Sequence, residues 1–248
     1  MPKTVLITGG SRGIGAACAK RLAADGWDVA ISYRARREEA EAVVRAVEAA
    51  GRKALAHQAD AADPDQIVGL FEATDAAFGR LDALVNNAGV TSPPGALADC
   101  STEELKRSFD VNVLGAFVAA REAVRRMATG RGGSGGVICN LSSVAARLGS
   151  PGEYIQYAAG KGAIDVMTEA LAKEVGPEGV RVVGVAPGVI ETDIHASQGQ
   201  DDKPARVAQS TPLRRNGRAE EVADAVAWLL SAAAGFVTGT TLGVTGGR

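Results

Sequence analysis

Tyr157 and Lys161 stand four residues apart in a stretch, residues 154–174, whose apolar spacing is that of a helix. Side chains at i and i+4 are neighbours on a helix surface. A phenol near its ordinary pKa of about 10 is seldom ionised at neutral pH, and an ammonium beside it favours the phenolate. Such a pair can exchange a proton in the working range of an enzyme. Upstream, Asn140-Leu141-Ser142-Ser143 ends an apolar run and places two hydroxyls where a strand should stop. Tyr154 has no lysine at the matching distance and reads as a loop aromatic near the substrate or the core.

A second constellation lies near the N-terminus. After a β-branched run comes Thr8-Gly9-Gly10-Ser11-Arg12-Gly13-Ile14-Gly15, followed by Ala16-Ala17 and a helical pattern. Small residues at a strand-to-helix turn let backbone amides and the positive end of the helix dipole approach a pyrophosphate. The turn is not that of a P-loop ATPase. No Lys-Ser/Thr follows it, and the later Gly160-Lys161 runs into Gly162. At the end of the second apolar run, where a fold that prefers NAD carries Asp or Glu, the chain has Tyr33-Arg34-Ala35-Arg36-Arg37. Arg34 and Arg12 offer planar forks of donors suited to a 2′-phosphate, which favours NADP(H) over NAD(H). Arg36 and Arg37 read as the solvated start of a helix.

The elements that must position these groups alternate. Apolar runs at residues 4–8, 29–33, 54–58, 83–85, 137–141, 182–186 and 241–244 alternate with helical patterns at 14–25, 37–50, 64–78, 102–127, 154–174 and 219–231. Runs as apolar as Val5-Leu6-Ile7 belong in a parallel sheet covered on both faces, whose ligands bind at the carboxyl ends of the strands. Ser101 with Glu104 forms a capping box, Asp63-Pro64 starts a helix, and Gly51 and Gly176 stand where helices end. Residues 131–136 read as a flexible turn. With no linker-like change of composition, residues 1–248 are expected to form one domain.

Composition narrows the function. The chain has 248 residues, 46% hydrophobic and 23% charged, enough to bury a full core. Its formal net charge of -2 gives no basic field for nucleic acid. Three scattered cysteines and two histidines indicate neither a disulfide framework nor a zinc site. Glu191, Asp193 and His195 read as a solvated loop, so no metal is expected. Met1-Pro2-Lys3 leads directly into an apolar strand with no signal-peptide pattern, and no apolar run approaches the ~20 residues of a membrane span. A cytoplasmic protein with no membrane partner is the expectation.

In order along the chain, Thr8-Gly9-x-x-x-Gly13-x-Gly15, Asn86-Asn87-Ala88-Gly89, Tyr157-x-x-x-Lys161 and Pro187-Gly188 resemble the short-chain dehydrogenase/reductase family over essentially the whole length. The resemblance implies a three-layer Rossmann fold, a doubly wound seven-stranded parallel sheet with helices on both faces. It implies hydride transfer between a nicotinamide and a carbonyl or secondary alcohol. Tyr157 is then the general acid/base and Lys161 its partner, which also bonds the nicotinamide ribose. Ser143, with Ser142 as the alternative, polarises the substrate oxygen, and Asn112 sits in a distorted helix that positions a relay water. Carried over likewise, the cofactor is held by Gly9, Ser11, Arg12, Gly13, Ile14 and Gly15, by Tyr33 and Arg34, and by Asp60 and Ala61. Asn87, Ala88 and Gly89, Tyr157 and Lys161, and Pro187, Gly188, Ile190 and Thr192 complete that set. Gly160 departs from the family's usual serine.

Two substrate classes follow, a 3-oxoacyl thioester or small ketone, which is favoured, and a sugar or polyol. A catalytically silent NADP(H)-binding sensor is the reading from a different class. Residues 90–99, 144–156 and 191–213 are the expected substrate loops, the last a mobile lid. Arg125, Arg126 and Arg131 are candidates for docking a carrier protein, though a solvated helix end explains them as well. The closing Thr245-Gly246-Gly247-Arg248 is associated in the family with tetramer packing, so a homotetramer or homodimer is expected.

Overall fold

The computed structural model describes residues 2–192 and 203–248, and for residues 203–206 the backbone alone. Seven strands form one parallel sheet: β1 (Thr4–Ile7), β2 (Asp28–Tyr33), β3 (Ala54–Gln58), β4 (Ala83–Asn86), β5 (Gly136–Leu141), β6 (Val180–Pro187) and a last strand, Thr241–Val244, in the order β3-β2-β1-β4-β5-β6 with Thr241–Val244 at the far edge. The alternation of side chains along each strand divides the core in two. Val5, Ile7, Val29 and Val183 face one layer, made by α1 (Gly13–Ala24), α2 (Arg37–Ala49) and the helix Ala219–Leu230. Leu6, Leu84, Ile138 and Val182 face the other, made by α3 (Pro64–Phe78), the helix Gly115–Met127 and the helix Ile155–Val175. Both faces of the central strands are therefore dry, as their uninterrupted apolar sequences require. This is the doubly wound Rossmann arrangement.

In chain order the remaining helices are α4 (Thr102–Phe109), α5 (Gly115–Met127), α6 (Ala145–Leu148), α7 (Ile155–Val175), α8 (Lys203–Ser210) and α9 (Ala219–Leu230). The capping box at Ser101 and Glu104 forms, and Asp63 accepts the amides of Asp65 and Gln66 ahead of Pro64 at the first turn of α3. The helix expected over residues 102–127 is two helices joined by a π turn, Asp110–Leu114, at the place of the distortion that the resemblance implied at Asn112; in it the Gly115 amide bonds the Asp110 carbonyl. A Cβ on Gly115 would stand 2.0 Å from the Ala61 carbonyl oxygen, so α5 approaches the loop after β3 only because that residue is glycine.

Three other local readings change. Gly176 is helical at φ -55, and Gly179, at φ +75, makes the left-handed exit three residues later. Residues 131–136 form a packed turn: the Gly135 amide bonds the Met127 carbonyl at 2.7 Å, and a Cβ on Gly133 would meet that carbonyl oxygen at 2.3 Å. A two-stranded pair, β7 (Ile190–Glu191) with β8 (Gly217–Arg218), is too short to register in the sequence; Thr241–Val244 is then β9. No described helix is long and apolar enough to cross a membrane.

Candidate active site

The chain runs outward from β1 to β3 and then returns to β4 on the other side of β1. The carboxyl ends of β1 and β4 therefore part, and a cleft opens there. The glycine-rich turn is its floor. Ser32 at the end of β2 holds it from one side, its hydroxyl accepting the Gly9 amide at 3.0 Å and its carbonyl the Gly10 amide at 2.8 Å. From the other side Asn87 donates to the carbonyls of Thr8 and Gly9, both at 2.9 Å, while the Thr8 hydroxyl accepts the amides of Asn87 and Ala88. Gly9 is left-handed at φ +66, and a Cβ on Gly15 would stand 2.4 Å from the Gly9 carbonyl oxygen. Helix α1 then starts with Arg12 in extended conformation and no side chain capping the first amides. A turn pinned on both sides beneath an uncapped helix N-terminus fits an anionic diphosphate.

The cleft is about 450 Å³. It is lined by Gly9, Ser11, Arg12, Gly13 and Ile14, by Tyr33 and Arg34, by Asp60 and Ala61, and by Asn87, Ala88 and Gly89. At the opposite end are Ser143, Tyr157, Lys161, Pro187, Gly188, Ile190 and Thr192. Of the residues expected at the site, only Gly15 and Asn112 do not line it. Gly15 lies beneath the turn. Asn112, buried in the π turn, accepts the Val90 amide at 3.0 Å and donates to the Val90 carbonyl at 2.8 Å, which fixes the segment beside Gly89.

At the reacting end α7 presents Tyr157 half-buried and Lys161 fully buried. The Ser143 hydroxyl lines the cleft with Tyr157 and accepts the Ala145 amide at 3.1 Å. Ser142 turns inward, donating to the Lys161 backbone carbonyl at 3.3 Å. Burial pushes the Tyr157 phenol up to about 12, with the Ser143 hydroxyl opposing. Burial pushes the Lys161 ammonium down to about 8. The expectation that Lys161 lowers Tyr157 is thus not met in this arrangement: its Nζ donates to the Leu141 carbonyl at 2.6 Å and lies 5.7 Å from the centre of the Tyr157 ring. Desolvation is the largest cause for the phenol, and the neighbouring Tyr154 adds to it.

Residues 9–248 match the family model described as enoyl-(acyl carrier protein) reductase. The chain is 48% identical over 243 residues to the uncharacterized oxidoreductase YgfF of Escherichia coli (strain K12), with 98% of each covered. A short-chain dehydrogenase from Burkholderia cenocepacia J2315, solved in complex with NADP, superposes with a TM-score of 0.89 at 40% identity, covering 99% of this chain and 97% of that one. The 3-ketoacyl-(acyl-carrier-protein) reductase from Brucella melitensis, complexed with NADH, gives a TM-score of 0.91 at 34% identity, covering 99% and 98%. The chain belongs to the short-chain dehydrogenase/reductase family. It is an oxidoreductase.

The departures of this short-chain dehydrogenase/reductase from its family's usual residues have local explanations. A Cβ on Gly160 would make ordinary contacts with Val113 at 3.4 Å and Asn112 at 3.5 Å, so the glycine is not required here by close packing. Tyr154 is buried edge-on against Tyr157, with ring centres 5.6 Å apart, and belongs to the core beside the site. Arg125 and Arg126 are engaged by the buried Glu122, and Arg126 also by Asp75, which ties up two of the three arginines considered for carrier docking. Asp193, His195, Asp201 and Asp202 lie outside the described residues, and so does the body of the expected lid. Ser32 and Arg107 were not legible as site residues. A serine ending an apolar strand beside a glycine turn is a usable signal for the first, whereas nothing local marks the second.

Proposed function

We propose that this enzyme binds NADP(H) in preference to NAD(H) and reduces the carbonyl of a 3-oxoacyl thioester or small ketone, with Tyr157 as the proton donor. The observation that carries the reading is that Tyr157, Ser143 and Lys161 line one end of a cleft whose other end is a pinned glycine turn and Arg34. The bound nicotinamide supplies the hydride. Tyr157 then gives its phenolic proton to the carbonyl oxygen as negative charge develops there. Ser143 donates a hydrogen bond to the same oxygen and steadies that charge. A phenol held above its ordinary pKa keeps its proton at neutral pH, which suits a donor.

Lys161, next to the Gly89 backbone and the foot of Tyr157, holds the nicotinamide ribose and restores the phenol's proton by way of a water that Asn112 helps to position. Asp60 and Ala61 flank the adenine. Pro187, Gly188, Ile190 and Thr192 hold the carboxamide. Arg34 and Arg12 take the 2′-phosphate. The NADP-bound and NADH-bound relatives agree in a nicotinamide dinucleotide, and Arg34, which follows β2 in place of a carboxylate, supports the phosphorylated one.

The test is absorbance at 340 nm with NADPH and NADH separately over a panel of acyl thioesters, diketones, aldehydes and sugars. Turnover of 3-oxoacyl thioesters or ketones with NADPH favoured is expected. Turnover confined to sugars or polyols with an oxidised cofactor would replace the substrate class, and equal use of both cofactors would remove the NADP(H) preference.

A further inference from the structure

One charge at the adenosine end opposes the reading just given. Asp60 lines the same cleft as Arg34. They follow the carboxyl ends of the neighbouring strands β2 and β3, whose pairing ends at Tyr33 with Gln58; just beyond it the Ala59 amide bonds the Tyr33 carbonyl at 2.9 Å and the Gln58 side-chain amide the Arg34 carbonyl at 2.9 Å. A bare carboxylate at this place would repel a ribose 2′-phosphate and compete with it for the Arg34 guanidinium. Arg36 adds little, because Glu39 engages it at 2.7 Å.

The carboxylate is not bare. Arg107, on the last turn of α4, pairs with Asp60 Oδ2 at 3.0 Å and itself lines the cleft, while Oδ1 accepts the Ala62 amide at 2.9 Å. Both oxygens therefore have partners that do not come from the phosphate side. Burial pushes the Asp60 carboxyl up, but the Arg107 hydrogen bond, the Ala62 amide and the charges of Arg107 and Arg34 together outweigh it and leave the group below the usual carboxylate range. Asp60 is thus held toward its ionised form, with the Arg107 guanidinium as its charged partner.

We infer that Arg107 is a specificity-determining residue for the phosphorylated cofactor: by holding the Asp60 carboxylate it leaves Arg34 to the 2′-phosphate. The inference rests on the NADP(H) preference proposed above. Arg107 acts through Asp60 and does not touch the reacting atoms.

Isothermal titration of the full-length protein with NADP+ and with NAD+ gives the ratio of dissociation constants without reference to turnover. In Arg107→Met the preference for NADP+ falls about two- to fivefold, the upper part of the range of a partly exposed charge pair. Arg107→Lys, which keeps the charge, retains most of it. Asp60→Asn alone does not lower the preference, and adding Arg107→Met to Asp60→Asn changes it no further. A preference untouched by Arg107→Met, an equal loss of both cofactors, or the same fall in the presence and absence of the Asp60 carboxylate would each overturn the inference while leaving the NADP(H) reading intact. Absence of any preference in the unmodified protein would overturn both.

Discussion

Tyr157 and Lys161 are each driven by burial toward the neutral form, the phenol up to about 12 and the ammonium down to about 8. For Lys161 the shift has a consequence for stability. Below about pH 8 the lysine is protonated in both the folded and the unfolded chain, and the full desolvation cost, about 3 kcal/mol for a displacement from 10.5 to about 8, weighs against folding. Between about pH 8 and 10.5 the folded chain releases the proton first, so the cost is relieved as pH rises. Tyr157 counters this only above pH 10, its ordinary value. Comparison with Lys161→Met isolates the effect. From pH 7 to pH 10 the cofactor-free parent should gain thermal stability relative to the variant, and parallel melting curves at both pH values would contradict the burial assigned to Lys161. At this scale the pair was readable because its spacing is local, whereas Arg107 finds its partner 47 residues away and gives no sequence signal. The partners of the two hydroxyls beyond β5, the Lys161 carbonyl for Ser142 and the Ala145 amide for Ser143, depend on the fold and are not carried by sequence.

The helices and strands owed their legibility to long apolar periods, and the exceptions have two causes, a tertiary contact and shortness. The π turn Asp110–Leu114 exists where α5 must reach the loop after β3, and the residue that permits the approach, Gly115, is packed on Ala61. That contact is tertiary, so residues 102–127 read as one helix. The two-residue strands β7 and β8 are below the length at which any period shows. The glycines of α3 and α5 make a paired prediction. Gly69 lies inside α3 with nothing within 4 Å of an added Cβ, so Gly69→Ala should stabilise the protein by roughly 0.5–1 kcal/mol. Gly115→Ala must displace α5 or the Ala61 loop, and should cost about 1–3 kcal/mol and also lower turnover by moving Asn112. Chemical denaturation measures both. A neutral Gly115→Ala would mean that the π turn is not set by this contact.

Across the whole molecule, the doubly wound sheet brings segments as distant as Gly9, Asn87, Tyr157 and Thr192 to one crevice because the strand order reverses beside β1. The alternation of strand and helix made that architecture legible, and the ordered motifs placed most of the cleft. What stayed hidden was the balance of charge within it: a chain with a net charge of -2 lines the adenosine end of its cleft with Arg12, Arg34, Arg36 and Arg107 against Asp60. The central claim is that this cleft binds the dinucleotide as a unit while Tyr157 alone supplies the proton. Tyr157→Phe tests it most directly, by titration of NADPH and by single-turnover reduction of the best carbonyl substrate. NADPH affinity within a few-fold of the parent and a reduction rate lower by roughly 10²–10⁴-fold are expected. A variant that binds NADPH and still reduces the carbonyl at a rate close to the parent's would contradict it.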